Sequence, residues 1–435
     1  MARSLRTALI ASLVVGCVTV ASAAPSYASR DAAPPARPDA HGPARLSLPA
    51  PTGRYPVGTV DLHLIDRSRT DPWLSTPTPR ELMVSLWYPA TDVGRFPRAP
   101  HMLPGAAAHF GSADGVGASL YHVPAGAVDF AATRTAGHRG APVARRGRPF
   151  PVVLYSPGAG DPRTWGTTAV QDLASRGYVV VTIDHTYDAS EVEFPDGRVL
   201  GTRLLEAFGQ AQQPDDFQRV GAKVFDTRVA DTRFVLDQLA ALDHGTNPDA
   251  EGRPLPSGVA GTLDLDRTGM FGVSAGGLTA LQAMSDDSRI RAAIDLGGSI
   301  ESPIIPDPVA LWPVARRGLD RPFMFAGDQL TDHQQTPSWR MLWDNSTGWH
   351  VDLRLTGAKG ENSYKDAVPL LPQIARQLGL PDSFVTEALG SIDPARAVRT
   401  DETLVAAFFD RWLRGRDGHL LDGPSPRLRD VTFVP

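Results

Sequence analysis

The sequence is organised around the hexapeptide Gly272–Gly277, which is Gly-Val-Ser-Ala-Gly-Gly. It follows an apolar run that ends at Phe271 and precedes the helix-prone segment 278–284. A G-x-S-x-G motif between a strand and a helix predicts a sharp turn with Ser274 at its tip, because larger flanking residues would collide with the neighbouring elements. Such a turn lifts the hydroxyl to the carboxyl edge of a sheet, beside the backbone N–H groups of the next helix. Ser274 is therefore the candidate nucleophile.

Strand and helix patterns alternate on both sides of this motif. Amphipathic or helix-prone segments occur at 168–176, 228–241 and 402–414. Strands are expected at 60–65, 82–88, 151–155, 178–183, 291–296, 322–326 and, as the last one, 350–355. The alternation predicts an α/β fold with a mostly parallel central sheet, flanked by helices and joined by right-handed crossovers. The functional site of such a sheet is expected at the carboxyl ends of its strands.

Composition fits one large globular domain. The chain has 435 residues, of which 42% are hydrophobic and 21% charged, enough to bury a sizeable core. The formal net charge of −5 argues against nucleic acid or an anionic membrane as the main partner. The histidines show no metal-ligand spacing, so no metal or other cofactor is expected, and the sequence does not specify an oligomeric state.

The N-terminal segment resembles an export signal. Arg3 and Arg6 precede an apolar run, and small residues before position 28 offer cleavage sites. We therefore expect a signal peptide at 1–28, a mobile Pro/Ala-rich linker at 29–50, a single domain at 51–435 and a secreted protein without stable membrane insertion. The alternative interpretation is a lipoprotein anchored at Cys17, the only cysteine. Cleavage after Ala23 or Ala28 leaves a mature chain with no disulfide.

Two apolar segments are expected to flank the site. The long excursion 92–147 contains Met102, Phe110 and Tyr121, and a second segment holds Ile304, Ile305 and Trp312. A loop of this length in a compact domain is usually functional. These segments favour a substrate with a hydrophobic acyl group.

Five motifs in the same order resemble the platelet-activating-factor acetylhydrolase family, in its secreted bacterial form. They are Arg80–Leu82 with Leu86–Ala90, Ser156–Gly160, Asp184–Thr186, Gly272–Gly277 and Phe408–Asp410. The resemblance covers about residues 55 to 435. It implies an α/β-hydrolase fold, hydrolysis of short-acyl or lipid-type esters, and Ser274 as nucleophile. It also implies an oxyanion hole formed by the N–H groups of Ala159 and Ala275, and no metal.

The other two triad positions depart from the family pattern. The family acid precedes a glycine after the strand that follows the elbow, and this chain has Gly297 there. The family base lies in a G-x-x-H stretch after the last strand, where this chain has Gly360, or Glu361 if the loop length differs. Both the acid and the base positions are therefore interpreted as lost.

Two aspartates are candidate replacements for the acid. Asp295 lies two residues before Gly297, so it points to the same side of the strand but is recessed by about 6–7 Å from the edge. Asp328 follows the next strand, where many α/β-hydrolases outside this family carry their acid. The alternatives are a strand-end aspartate bonded to backbone donors for Asp295 and ordinary loop capping for Asp328.

His333 is the candidate base, because it leaves the sheet at the correct edge beside the last strand. Its alternative interpretation is an exposed loop histidine. His350 starts its strand and lies roughly 20 Å from that edge. His185 lies on the far side of the elbow and is expected to be structural. Glu361 is a poor base for serine, because an ordinary carboxylate titrates near pH ~4.3.

Two functional hypotheses follow. The first is a serine ester hydrolase, weak or rewired, acting on a small-molecule or lipid ester. The second is a catalytically silent protein that binds an acyl chain or a lipid. Amide hydrolysis is disfavoured, because the leaving amine needs protonation.

Overall fold

The computed structural model describes residues 42–145 and 147–435. Its strands are β1 (Val57–Thr70), β2 (Pro79–Pro89), β3 (Arg98–Pro100), β4 (Arg134–Arg139), β5 (Phe150–Ser156), β6 (Val179–Asp184), β7 (Glu191–Glu193), β8 (Val199–Gly201), β9 (Leu263–Val273), β10 (Ile290–Leu296), β11 (Phe323–Gly327), β12 (His350–Leu355) and β13 (Val431–Val434).

The helices alternate with these strands. In the described ranges they are α1 (Pro104–Phe110), α2 (Val116–Ser119), α3 (Thr167–Ser175), α4 (Leu204–Gln210), α5 (Pro214–Asp243), α6 (Ala275–Asp286), α7 (Val314–Arg317), α8 (Pro337–Asn345), α9 (Ala367–Leu378), α10 (Asp382–Leu389) and α11 (Pro394–Arg414). No helix in these ranges combines the length and the apolar character needed to cross a membrane.

An 11-stranded sheet forms the centre, in the order β13-β12-β11-β10-β9-β5-β6-β2-β1-β4-β3. The strands from β6 through β5, β9, β10 and β11 to β12 run parallel, whereas β2 and β13 pair antiparallel at either end of this block. All seven residues of β5 are buried. Helices cover both faces, so each central strand needs a continuous apolar run. The predicted α/β-hydrolase fold is confirmed.

Two segments differ from the sequence-based expectations. Helix α5 begins at Pro214, well before the predicted start at 228, because Pro214 occupies its first turn and Gln213 and Asp216 form a reciprocal cap. The strand at 350–355 is not the last one, since β13 pairs with it through Asp352–Leu355. β13 is too short for the sequence pattern to reveal it.

The N-terminal predictions fall mostly outside the described residues, which exclude the whole signal segment 1–28 and the linker up to residue 41. Residues 42–50, the rest of the predicted linker, are packed against the domain and do not form the mobile segment that was expected. Ala44 and Leu46 are buried, and the backbone of Arg45 and Ser47 bonds to Gln377 and Gln373 of α9. The alternating Ala44, Leu46 and Leu48 supply one apolar face, which fixes this stretch to the domain.

Candidate active site

Ser274 lies at the tip of a strained turn between β9 and α6. Its backbone has φ 55° and ψ −125°, a conformation that residues with side chains rarely adopt. Its N–H donates to the Leu296 carbonyl at 3.0 Å. A Cβ at Gly276 would overlap the Ser156 carbonyl oxygen, so only glycine lets the loop after β5 approach the turn this closely. The geometry is that of the predicted nucleophile elbow.

The two N–H groups predicted to form an oxyanion hole have no acceptor within the described chain. In the described ranges, neither the Ala159 N–H nor the Ala275 N–H has a hydrogen-bond acceptor. The guanidinium of Arg228 fixes the loop after β5, which contains Ala159. It donates to the carbonyls of Pro157 at 2.8 Å and Gly158 at 3.0 Å. Arg228 is buried and paired with Asp188. Free N–H groups on a fixed loop beside a helix start suit the developing charge of an oxyanion.

The predicted acid position faces the predicted base loop. Gly297 has φ +71°, and a Cβ placed on it would lie 3.4 Å from both Cα and Cβ of Glu361. At Gly360 a Cβ would meet no atom within 4 Å. Residue 361, and not residue 360, is therefore the partner of position 297.

Glu361 belongs to a buried charge cluster that sequence analysis missed. Its Oε1 lies 3.5 Å from Lys365 Nζ, which also lies 2.8 Å from Asp161 Oδ2. A Cβ at Gly158, next to the oxyanion residue Ala159, would lie 3.5 Å from the same ammonium. Lys365 thus lies between the loop that contains Glu361 and the loop that contains Ala159. The sequence did contain one clue to this cluster. It has only three lysines, because arginine supplies nearly every other basic side chain, so each lysine is unusual.

Lys365 keeps its positive charge within this cluster. Burial alone would lower the pKa of Lys365, but the carboxylates of Asp161 and Glu361 outweigh it and raise the pKa. Burial raises the pKa of Asp161 in spite of the ammonium beside it. A lysine held protonated cannot accept the proton of a serine.

Asp295 lies beneath the elbow. Its Oδ1 accepts from the Gly298 N–H at 2.8 Å, and a Cβ at Gly277 in the first turn of α6 would overlap it. Its Oδ2 has no partner among the described residues. Burial raises the pKa of Asp295 well above its ordinary value and so favours the neutral carboxyl group.

Asp328 caps the loop that contains Gly360 and Glu361. Its Oδ2 accepts from the Gly360 N–H at 2.7 Å, and its Oδ1 accepts from the Leu330 N–H at 3.0 Å. These two bonds are those of ordinary loop capping, the alternative considered from the sequence.

His333 is buried and lies away from Ser274. Its Nδ1 lies 2.7 Å from Asp352 Oδ2, and its ring stacks on Trp343 with centroids 3.9 Å apart. Asp352 is three strands from Gly272 on β9, because β9, β10, β11 and β12 are in register there. At about 4.8 Å per strand this separation is roughly 14 Å. No described histidine is hydrogen-bonded to Ser274.

His185 lies in a buried Ser-His-Asp arrangement, which has the same side-chain groups as a catalytic triad. Its Nε2 lies 3.0 Å from Ser156 Oγ, and its Nδ1 lies 3.1 Å from Asp231 Oδ2. All three residues are at most 1% exposed, so no substrate reaches them. Arg80 pairs with Asp231 at 2.7 Å. This network fixes the loop after β5 and the start of the loop after β6.

An aromatic cluster forms the apolar wall beside Ala159. It is built from Trp73, Leu204, Phe208 and Val224, with the partly buried Ala159, Tyr187 and Phe217 packed against it. Among the described residues, Leu205 on α4 and Leu330 after β11 are large hydrophobic side chains that are exposed. Of the two apolar segments expected to flank the site, the excursion approaches the charge cluster through Tyr121, whose hydroxyl accepts from Trp165 Nε1 at 2.6 Å. The other packs under α6, where Trp312 Nε1 donates to the Leu278 carbonyl.

Comparisons with known proteins agree with this geometry. Residues 42–299 match the family described as platelet-activating factor acetylhydrolase, isoform II. A probable 1-alkyl-2-acetylglycerophosphocholine esterase of Arthroderma benhamiae is 27% identical over 410 residues, covering 90% of this chain and 95% of that protein. The platelet-activating factor acetylhydrolase of Canis lupus familiaris is 26% identical over 35% of this chain and 36% of that protein. A solved ferulic acid esterase from Streptomyces cinnamoneus is 34% identical, with a TM-score of 0.68, covering 90% of this chain and 99% of that one.

Proposed function

Because the chain belongs to the platelet-activating factor acetylhydrolase, isoform II family, we propose that it is a serine hydrolase of carboxylic esters with Ser274 as its nucleophile. The observation that carries this proposal is the strained turn at Ser274 beside the free N–H groups of Ala159 and Ala275. Residues held in such a conformation cost about 1–3 kcal/mol and persist mainly at functional sites.

The proposed reaction has two steps. Ser274 Oγ attacks the acyl carbon, the carbonyl electrons move to an oxyanion bound by Ala159 and Ala275, and the alcohol leaves as the acyl-serine forms. Water then attacks the acyl-serine and releases the acid. The serine proton passes to solvent or to the leaving alkoxide, since the side chain facing position 297 is a carboxylate and not an imidazole.

The proposed activity is weak. A serine hydrolase that lacks a triad member typically retains about 10³–10⁴-fold acceleration over water from its oxyanion hole and substrate binding. Esters whose leaving group needs no proton, such as aryl esters, suffer least from the missing base. We propose short-acyl, aromatic or lipid-type esters as the substrate class. The aromatic wall beside Ala159 and the names of the Arthroderma and Streptomyces relatives support it.

Hydrolysis of p-nitrophenyl acetate tests the proposal. The parent should turn it over above the buffer rate, Ser274→Ala should abolish this excess, and Ser383→Ala, an exposed serine on α10, should leave it unchanged. An alanine variant at 274 as fast as the parent would rule out Ser274 as nucleophile.

A silent acyl-binding protein is the second candidate function, and the absence of a hydrogen-bonded histidine at Ser274 in the described chain favours it. Ester turnover and ligand binding, measured on the same protein, distinguish the two functions. A parent with no excess turnover that still binds a fluorescent fatty acid, with Phe217→Ala in the aromatic cluster weakening this binding, would support the silent function.

We also propose that the protein is exported, on the basis of the charged and apolar pattern before residue 28. N-terminal sequencing of protein secreted by a bacterial host should give a start near Ala24 or Ser29. Protein retained in the cells with residues 1–28 intact would contradict export.

A further inference from the structure

A second, polar cavity lies beneath the excursion, away from Ser274. It opens to solvent and is bounded by β1, β2 and the turn at 162–164. Thr59 on β1 and Trp87 on β2 form a cross-strand pair at its base. β2 is three strands from β9 in the sheet, roughly 14 Å at the usual strand spacing. The cavity is therefore separate from the esterase site.

Four buried polar atoms on residues lining this cavity lack a hydrogen-bond partner among the described residues. They are Thr59 Oγ1, Trp87 Nε1, His101 Nδ1 and Thr164 Oγ1. They come from four separate segments of the chain. Folded proteins leave few buried polar atoms unsatisfied, because each costs about 1–3 kcal/mol. Four around one cavity indicate a partner that the chain itself does not supply.

The hydrogen-bonding character of these atoms is mixed. Trp87 Nε1 can only donate. His101 Nε2 lies 2.8 Å from both the Thr164 carbonyl and Asp366 Oδ2, so the proton is on Nε2 and Nδ1 is an acceptor. The threonine hydroxyls do either. A hydroxyl group donates and accepts, and so satisfies every member of this set.

The charged groups of the cavity already have partners. Arg163 pairs with Asp184 and lies 3.3 Å from Asp61. Glu191 lies 2.9 Å from His109 Nδ1, and Glu193 accepts from the Ala106 N–H at 2.8 Å. An anionic occupant would find no free cation to pair with, because Arg163 is already paired, and it would be penalised by burial.

We propose that this cavity is a binding site for a small neutral polyol of about the size of glycerol. Vicinal hydroxyls would accept from Trp87 Nε1, donate to His101 Nδ1 and bond with the two threonines. The apolar Met102 and Leu103 at the excursion side would contact the carbon chain.

Titration of the full-length protein with glycerol, followed by ligand-observed NMR, tests the site. Saturable binding is expected, and Trp87→Phe and Thr59→Val should each weaken it about fivefold, the effect of one lost hydrogen bond. Two matched controls have unpartnered buried atoms of the same kind that do not line the cavity. They are Trp412→Phe and Thr133→Val, and they should bind glycerol like the parent.

A charged probe tests the neutral character of the ligand. Glycerol 3-phosphate should bind at least about tenfold more weakly than glycerol, because the cavity offers no unpaired cation. Absence of saturable glycerol binding would mean that the cavity holds water only and would overturn the proposal. Tighter binding of glycerol 3-phosphate than of glycerol, or an equal loss in the control variants, would also overturn it. If Trp87→Phe does not fold by circular dichroism, Thr59→Val decides.

Discussion

Gly297 and Glu361 face each other, such that a Cβ at residue 297 would lie 3.4 Å from Cα and Cβ of Glu361. These are the positions at which the family resemblance implies an acid and a base. Positions 297 and 361 thus lie close enough for a side-chain pair, but the residues there are a glycine and a glutamate. Lys365 and Asp161 complete an ion-paired cluster at this place.

Asp401→Asn is expected to stabilise the protein at alkaline pH. Burial, with the carboxylates of Asp172 and Asp366 nearby, raises the pKa of Asp401 from its ordinary 3.8 to about 8. Between these values the folded state holds a proton that the unfolded state has released, so stability falls as pH rises from about 4 to 8. The variant removes this loss and should gain about 5 kcal/mol at pH 8, and far less at pH 4.

Glu402→Gln should behave alike, since burial, with Asp172 and Asp401 nearby, raises the pKa of Glu402 from 4.5 to about 8. Thermal melts of both variants at pH 4 to 9 measure the effect. The exposed Asp344→Asn on α8 is the control and should show no such trend. A gain that is equal at all pH values would disprove the titration and leave only a packing effect.

Lys365→Met is expected to destabilise the fold by about 3–5 kcal/mol, because it leaves buried carboxylates without their cation. Adding Asp161→Asn should recover part of this loss. Urea denaturation of the singles and the double measures the coupling, with the exposed Lys359→Met as the matched control. Strictly additive losses would show that the ammonium and Asp161 do not interact.

His333→Gln should change the aryl ester rate by less than about twofold, since its partner Asp352 lies three strands, roughly 14 Å, from Gly272 at the elbow. Its effect should appear in stability, through the lost bond to Asp352 and the lost stacking on Trp343. A rate loss of about 10³-fold or more would identify His333 as the base after all.

Asp295→Asn tests the remaining candidate acid. Asparagine resembles the neutral carboxyl group that burial favours at this place, so both stability and ester rate should stay close to those of the parent. A working triad acid changed to asparagine loses about 10⁴-fold in turnover. A loss of that size would show that Asp295 is ionised and assists a base.

The sequence was sufficient for the features that depend on local pattern. The sharp turn at Ser274 and the buried strands follow from glycine spacing and apolar runs. The features that it could not supply depend on tertiary contacts. The choice of residue 361 over 360 depends on a loop held by Asp328, and the charge cluster joins Asp161 to a lysine more than 200 residues away. The unpartnered atoms of the polar cavity come from four segments that no periodicity connects.

Restoring the triad tests most directly whether Ser274 is a nucleophile that lacks its base. Aspartate tolerates positive φ better than most residues, so Gly297→Asp is feasible, and Glu361→His places an imidazole beside it. Aryl ester hydrolysis at pH 7 to 8 should rise by about 10²-fold or more in this double variant, far beyond either single, because acid and base act as a unit. Gly297→Asp with Gly360→His is the matched control and should gain little, since residue 360 faces open space. A parent already as fast as the best double variant would contradict the loss of the base.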